Sequence, residues 1–200
     1  MNDRVGHADR LTPPRLDIRC TSSDCDNDLH CFLATRKLRS TQQEGRCRTC
    51  GADLVDWTRV KRRDLTDIAN TFTSLRQEYF RHYFWHIELD TRAVNYARRK
   101  GRIRLAAATR ARIASSVGPA TPWRDGQQTR REGSGNPIHY AQHATATCCR
   151  RCIEEWHGIP RGRALSEPEI DYLSGLAIRY LEERVLVTEH GETVPAIRKR

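Results

Sequence analysis

TRAVNYARRKGRIRLAAATRARIASSV, residues 91–117, decides the fold class. Tyr96, Ile103, Ala106, Ala107, Ile113, Ala114 and Val117 share one broad face at the 3.6-residue period, which predicts an amphipathic helix. Gly101 stands inside the stretch, and a residue without a side chain weakens a helix there, so an interruption is expected. Most of the arginines fall off the apolar face, although Arg99 and Arg110 intrude at its centre.

The charge of this stretch sets the expected partner. Residues 92–131 carry eleven basic side chains against one acid, Asp125, so the whole net charge of +10 lies in this segment. Like charges without acids repel one another, which favours an anionic partner. Only four of the 35 basic residues are lysines, and arginine's planar fork suits phosphate. Residues 118–137 read as a loop, with no apolar periodicity, and add Arg124, Arg130, Arg131 and a tryptophan, Trp123, able to stack on a base. The segment therefore predicts DNA or RNA binding through Arg98, Arg99, Lys100, Arg102, Arg104, Arg110, Arg112, Trp123, Arg124, Arg130 and Arg131.

Beyond the loop comes IHYAQHATATCCRRCIEEWHGIPRGR, residues 138–163. Cys148, Cys149 and Cys152 sit between His143 and His157, with His139 one helical turn before His143. This is the composition of a metal site, with His143, Cys148, Cys149, Cys152 and His157 as its candidate ligands. Cys149-x2-Cys152-x4-His157 begins like a CCHC knuckle, but Gly162 stands where that knuckle expects its last cysteine. A deaminase needs a glutamate two residues after the histidine, and Thr145 and Ala141 occupy those positions. An iron–sulfur cluster usually takes four cysteines. Three protein ligands would leave a position for an activated water, whereas four would make the site structural.

The block DGQQT followed by NPIHYAQHATATCCRRCIEEWHGIPRGRALSEPEIDYL resembles a family known as domain of unknown function 4186, whose signature is AQHATATCC-x-x-C-x-x-x-WHGIP. The resemblance covers roughly residues 93–180. It implies a bacterial protein, matches the signature at His143, Cys148, Cys149, Cys152, Trp156 and His157, and brings no activity with it.

On the C-terminal side, Ser166-Glu167-Pro168-Glu169 is a capping box that opens a helix to about Arg184. Residues 185–194 suggest a small hairpin at His190-Gly191. On the N-terminal side, Asp64 or Thr66 caps a helix through about Ile87, with Ile68, Phe72, Leu75 and Tyr79 forming its stripe. Glu78, His82 and His86 share a face of that helix at four-residue spacing, which permits a metal but is equally the pattern of a plain polar face.

Further upstream, Cys20-x4-Cys25 and Cys47-x2-Cys50 form two thiolate pairs separated by 21 residues. With Gly51 at the second knuckle, they look like a zinc ribbon with Cys20, Cys25, Cys47 and Cys50 as ligands. His30 is able to replace one thiolate, and Cys31 reads as a small core residue of a strand at 29–35. Clustered cysteines, no apolar h-region in the first twenty residues and no apolar run near the ~20 residues of a membrane span fit a cytoplasmic chain without membrane segments.

The expected architecture is mainly α with a small β zinc ribbon at the N-terminus, α+β overall. It divides into a tail at 1–15, the ribbon at 16–58, a helical domain at 64–187 and a second tail at 188–200. The expected function is a zinc protein, with one ion in the ribbon and a second in the later cluster, that binds nucleic acid. The alternatives are a metal-dependent, hydrolase-like enzyme acting on nucleic acid or nucleotides, and a protein-interaction adaptor. No phosphate-loop, GxSxG or HExxH motif is present, so catalysis stays open.

Overall fold

Eight α-helices occur among the described residues, 18–131 and 133–195 of this computed structural model. They are α1 (Arg36–Ser40), α2 (Trp57–Val60), α3 (Ile68–Arg76), α4 (Tyr79–His86), α5 (Thr91–Val117), α6 (Pro137–Ala144), α7 (Arg150–His157) and α8 (Glu167–Arg184). The protein is mainly helical, as expected. The longest helix, α5, packs along α8, while α6 lies between α4 and α8. Leu75, Phe84, Ile113, Ile138, Leu173, Leu176 and Tyr180 form the buried centre. None of the described helices is long and apolar enough to cross a membrane.

Local sequence explains where most helices start. Asp90 accepts the Ala93 N–H at 3.0 Å and caps α5. Asn136 accepts the Ile138 N–H at 3.0 Å, with Pro137 in the first turn of α6, where its missing N–H costs nothing. The capping box forms at Ser166, whose N–H donates to Glu169 Oε2 at 2.9 Å.

Two interruptions shape the fold. The helix expected from Asp64 to Ile87 is instead a short 3-10 turn followed by α3 and α4, broken at Gln77-Glu78. The cause lies in the N-terminal segment: the His30 N–H donates to Gln77 O at 2.8 Å and His30 O accepts the Tyr79 N–H at 2.9 Å. Those backbone groups are withdrawn from the helical ladder, and Glu78 becomes extended. The second interruption is the one expected at Gly101, which has φ of 67° inside α5. Residues 188–192 cross this break, with Arg102 N–H donating to Thr188 O at 2.9 Å and Glu192 N–H donating to Arg98 O at 3.0 Å. A Cβ on Gly101 would stand 2.0 Å from the Gly191 nitrogen. The hairpin suggested at His190-Gly191 is thus replaced by a segment laid across α5.

No sheet forms among the described residues, and the strands expected of a ribbon reduce to two isolated bridges. Asp24 pairs with Leu29 antiparallel, and His30 pairs with Glu78 in parallel. The buried run Cys31–Ala34 sits between the knuckle, where Cys31 O accepts the Arg48 N–H at 2.8 Å, and the helical domain, where the Ala34 N–H donates to Glu155 Oε2 at 3.4 Å. Phe32, Trp57 and Trp156 meet edge to face or tilted, with centroids 5.0–5.9 Å apart, and join the N-terminal segment to α7. The expected tail at 1–15 lies outside the described residues, as do the final five. Residues 188–195 belong to the fold.

Candidate metal centres

The first group is assembled by one short turn and one knuckle. A 3-10 turn at Cys25–Asn27 and the bridge at His30 bring Cys25 and His30 up to Cys47 and Cys50. The four ligand atoms all lie within 4.8 Å of one another. Cys25 and Cys47 sulfurs are 3.7 Å apart, and Cys50 Sγ is 3.5 Å from His30 Nδ1. A tetrahedral zinc ion with sulfur at about 2.3 Å and nitrogen at about 2.0 Å has edges of about 3.8 Å and about 3.5 Å. The donor set therefore matches one tetrahedral ion. Burial raises the Cys47 thiol, but N–H donors from Cys31, Cys50 and Thr49 outweigh it and hold the group down at about 6, favouring the thiolate that a metal needs.

His30 thus stands where Cys20 was expected. Cys20 is turned to the second group, where the neighbouring Cys152 thiol and burial push its own thiol up. Cys31, the expected core residue, is fully buried and donates its S–H to Cys20 O at 3.1 Å.

The second group lies at the start of α7. Cys149 is its N-cap and accepts the Cys152 N–H at 3.4 Å. The sulfurs of Cys148, Cys149 and Cys152 lie within 4.8 Å of one another. Arg81, only 1 % exposed, reaches into this group from α4. It donates to Cys152 Sγ at 3.0 Å, to Cys148 Sγ at 3.7 Å, to His143 O at 2.9 Å and to Glu78 Oε2 at 3.0 Å. Trp156 Nε1 donates to the same Glu78 oxygen at 2.7 Å. Hydrogen bonds from Cys148, Cys149 and Cys20, with Arg81 alongside, hold the Cys152 thiol well below the ordinary range. The Cys148 thiol is pushed up by its bonds to Cys149 and Cys152 and by burial. Glu78 is raised by burial against the opposing pull of Arg81.

Neither expected imidazole joins this group. His157 is saturated: its Nε2 donates to Thr145 O at 3.0 Å, and Nδ1 accepts from the Tyr172 hydroxyl at 3.2 Å. Burial pushes it down to about 4, so it is neutral. His143 stacks on Phe84 with centroids 4.5 Å apart. Its nitrogens lie near the backbone of Thr129 and Arg130 without reaching hydrogen-bond geometry. Burial, then Arg81, pushes it to about 3.

Residues 69–182 match the family model described as a domain of unknown function, DUF4186. The chain belongs to this family. Cys148, Cys149 and Cys152, together with Arg81 and Glu78, lie inside the matched domain; Cys20 and the whole first group lie outside it. No solved structure matches the chain.

Sequence reasoning missed the Glu78–Arg81 pair. Their three-residue spacing is ordinary for a helix, and the signal of burial is the break at Gln77, which arises from a distant segment. His82 and His86, read with Glu78 as one face, instead stack on each other at 3.9 Å and bond to backbone carbonyls of Arg76 and His82.

The basic segment is less bare than its local composition suggests. Arg98 pairs with Glu192 at 2.6 Å, Arg102 with Glu189 at 3.2 Å, and Arg110 with Glu167 and with Asp171 at 2.8 Å. Arg104 donates to the carbonyls of Lys100, Arg99 and His190. Arg112 donates to Gln128 O and Arg131 to Ile18 O, each at 2.6 Å. Lys100 lies over Tyr96. Acids distant in sequence thus supply the counter-charge that the segment lacks. Arg99, Arg124 and Arg130 make no ion pair among the described residues. Trp123 is 79 % exposed with Arg124 over its ring at 5.1 Å.

Proposed function

We propose that the chain is a zinc protein in which metal binding orders the N-terminal segment upon the family domain. One observation carries this reading: Cys25, His30, Cys47 and Cys50 gather their ligand atoms within 4.8 Å of one another, with two separations, 3.7 and 3.5 Å, matching edges of a zinc tetrahedron. Zinc is the ion whose mixed thiolate and imidazole chemistry suits this set. Four protein ligands leave no position for substrate, so the ion here is structural. The hydrolase-like reading also loses the imidazoles it relied on, because His157 is saturated and His143 is packed against phenylalanine rings. Elemental analysis of protein purified without added metal tests the proposal, with stoichiometric zinc expected. A fully folded chain with no zinc, unaffected by a strong chelator, would refute it.

A second property of the same protein rests on Trp123. An exposed tryptophan carrying a stacked arginine, near Arg130 in sequence, is a platform for an unpaired base in single-stranded DNA or RNA. Trp123→Ala is expected to weaken binding of a fluorescent single strand by roughly 5- to 150-fold, given about 1–3 kcal/mol per stacked base. Equal affinity for the variant would remove this platform from the account.

A further inference from the structure

The three clustered cysteines at the start of α7 leave a tetrahedron one ligand short, and Cys20 approaches them from the N-terminal segment. We infer that Cys20, Cys148, Cys149 and Cys152 together hold one soft divalent ion, zinc by preference, in a four-thiolate site that staples the N-terminal segment to the family domain. This rests on the zinc reading above and extends it to a second ion.

Three observations carry the inference independently of one another. Cys148, Cys149 and Cys152 sulfurs are mutually within 4.8 Å, a span suited to one tetrahedral ion with edges of about 3.8 Å. A multi-iron cluster would hold its cysteines further apart. Cys20 approaches this trio from the N-terminal segment, near enough to interact with Cys152 and Arg81, and backbone anchors on either side fix its approach. Cys31 holds the Cys20 carbonyl at 3.1 Å, and Arg131 holds the Ile18 carbonyl at 2.6 Å.

The third observation is the buried guanidinium. Four thiolates around a divalent ion carry two excess negative charges, which a buried site must offset. Arg81 supplies a positive charge and N–H donors to Cys152 and Cys148, the kind of outer partner that orients metal ligands. Glu78, itself held by the Trp156 indole, in turn fixes Arg81. Cys20 also replaces both expected histidines, and the position once open to an activated water is filled by sulfur.

The test uses the full chain with zinc counted per molecule and cobalt(II) as a spectroscopic probe. Wild type should hold two ions. Cys20→Ser should lose the cobalt signature of a four-sulfur site and retain that of three sulfurs and one nitrogen, whereas Cys47→Ser should do the reverse. Cys20→Ser that still holds two ions with unchanged spectra would overturn the inference while leaving the first site standing. Absence of zinc from wild type would overturn both.

Alkylation of unmodified wild type followed by peptide mapping covers the case of a variant that does not fold. Cys20 should resist the reagent until a chelator is added, at which point it should label together with Cys149. Cys20 labelling freely while Cys148, Cys149 and Cys152 remain protected by metal would contradict the proposal.

Discussion

At the residue scale, the behaviour of single buried charges dominates. Arg81 and Glu78 are both almost wholly enclosed, and removing one partner strands the other. Arg81→Met is therefore expected to destabilise the fold by about 3–5 kcal/mol, read from the urea midpoint at constant slope. The double variant Arg81→Met/Glu78→Gln should recover part of that loss; no recovery would mean that the sulfur contacts, not the ion pair, set the cost. His157 gives the pH dependence. Its pKa falls from 6.5 unfolded to about 4 folded, so between these values the unfolded chain binds more protons. Stability then decreases as pH falls through that window, by up to roughly 3 kcal/mol for a shift of this size. His157→Gln keeps a donor for Thr145 and an acceptor for Tyr172 while removing the titration. Its stability should fall less steeply between pH 6.5 and 4 than that of wild type, and parallel profiles would show that His157 is not responsible. Of these residues, Cys25, His30, Cys47 and Cys50 were legible as neighbours, because knuckle spacing is local chemistry. The allegiance of Cys20 was not, since it depends on cysteines more than a hundred residues further along.

At the scale of elements, α5 and α8 followed from periodicity and from the capping box at Ser166, and Gly101 announced a break, whereas α1, α2, α6 and α7 were not expected as helices. The break at Gln77-Glu78 has no such signal: nothing local marks it, and the backbone of His30 makes it by competing for Gln77 and Tyr79. The same competition removed the expected ribbon, because the backbone of His30 is bonded to Gln77 and Tyr79 and not to a neighbouring ribbon strand. Gly101 supports a sharp expectation. Its backbone, at φ 67° and ψ 172°, lies in a region essentially confined to glycine and costs an ordinary residue about 1–3 kcal/mol, and a Cβ would displace His190 and Gly191. Gly101→Ala should lower stability by at least that amount. It should also accelerate hydrogen exchange at Arg102 and Ile103, whose amides bond to Thr188 and Glu189. Unchanged exchange there would show that the C-terminal segment is not held by the break.

At the scale of the whole molecule, the proposed function rests on charge and on metal. The sequence places all of the excess charge in residues 92–131, yet α8 and residues 189–192 bring Glu167, Asp171, Glu189 and Glu192 back onto it. Local composition could not show this, because the acids lie 57 to 94 positions away. The proposed nucleic-acid contact is accordingly small. Each phosphate contact to a single strand contributes about −0.7 to the slope of log affinity against log salt. Contact through Arg124 and Arg130 should thus give a slope of about −1 to −2. A slope of about −6 or steeper would mean that the paired arginines exchange their carboxylates for phosphates. The proposed metal sites carry the larger structural role in this reading, since each gathers ligands from segments separated along the chain. X-ray absorption at the zinc edge tests the two-site arrangement most directly. The account predicts seven sulfurs and one imidazole nitrogen shared between two separate ions. Oxygen ligands, a close metal–metal distance or a single bound ion would contradict it.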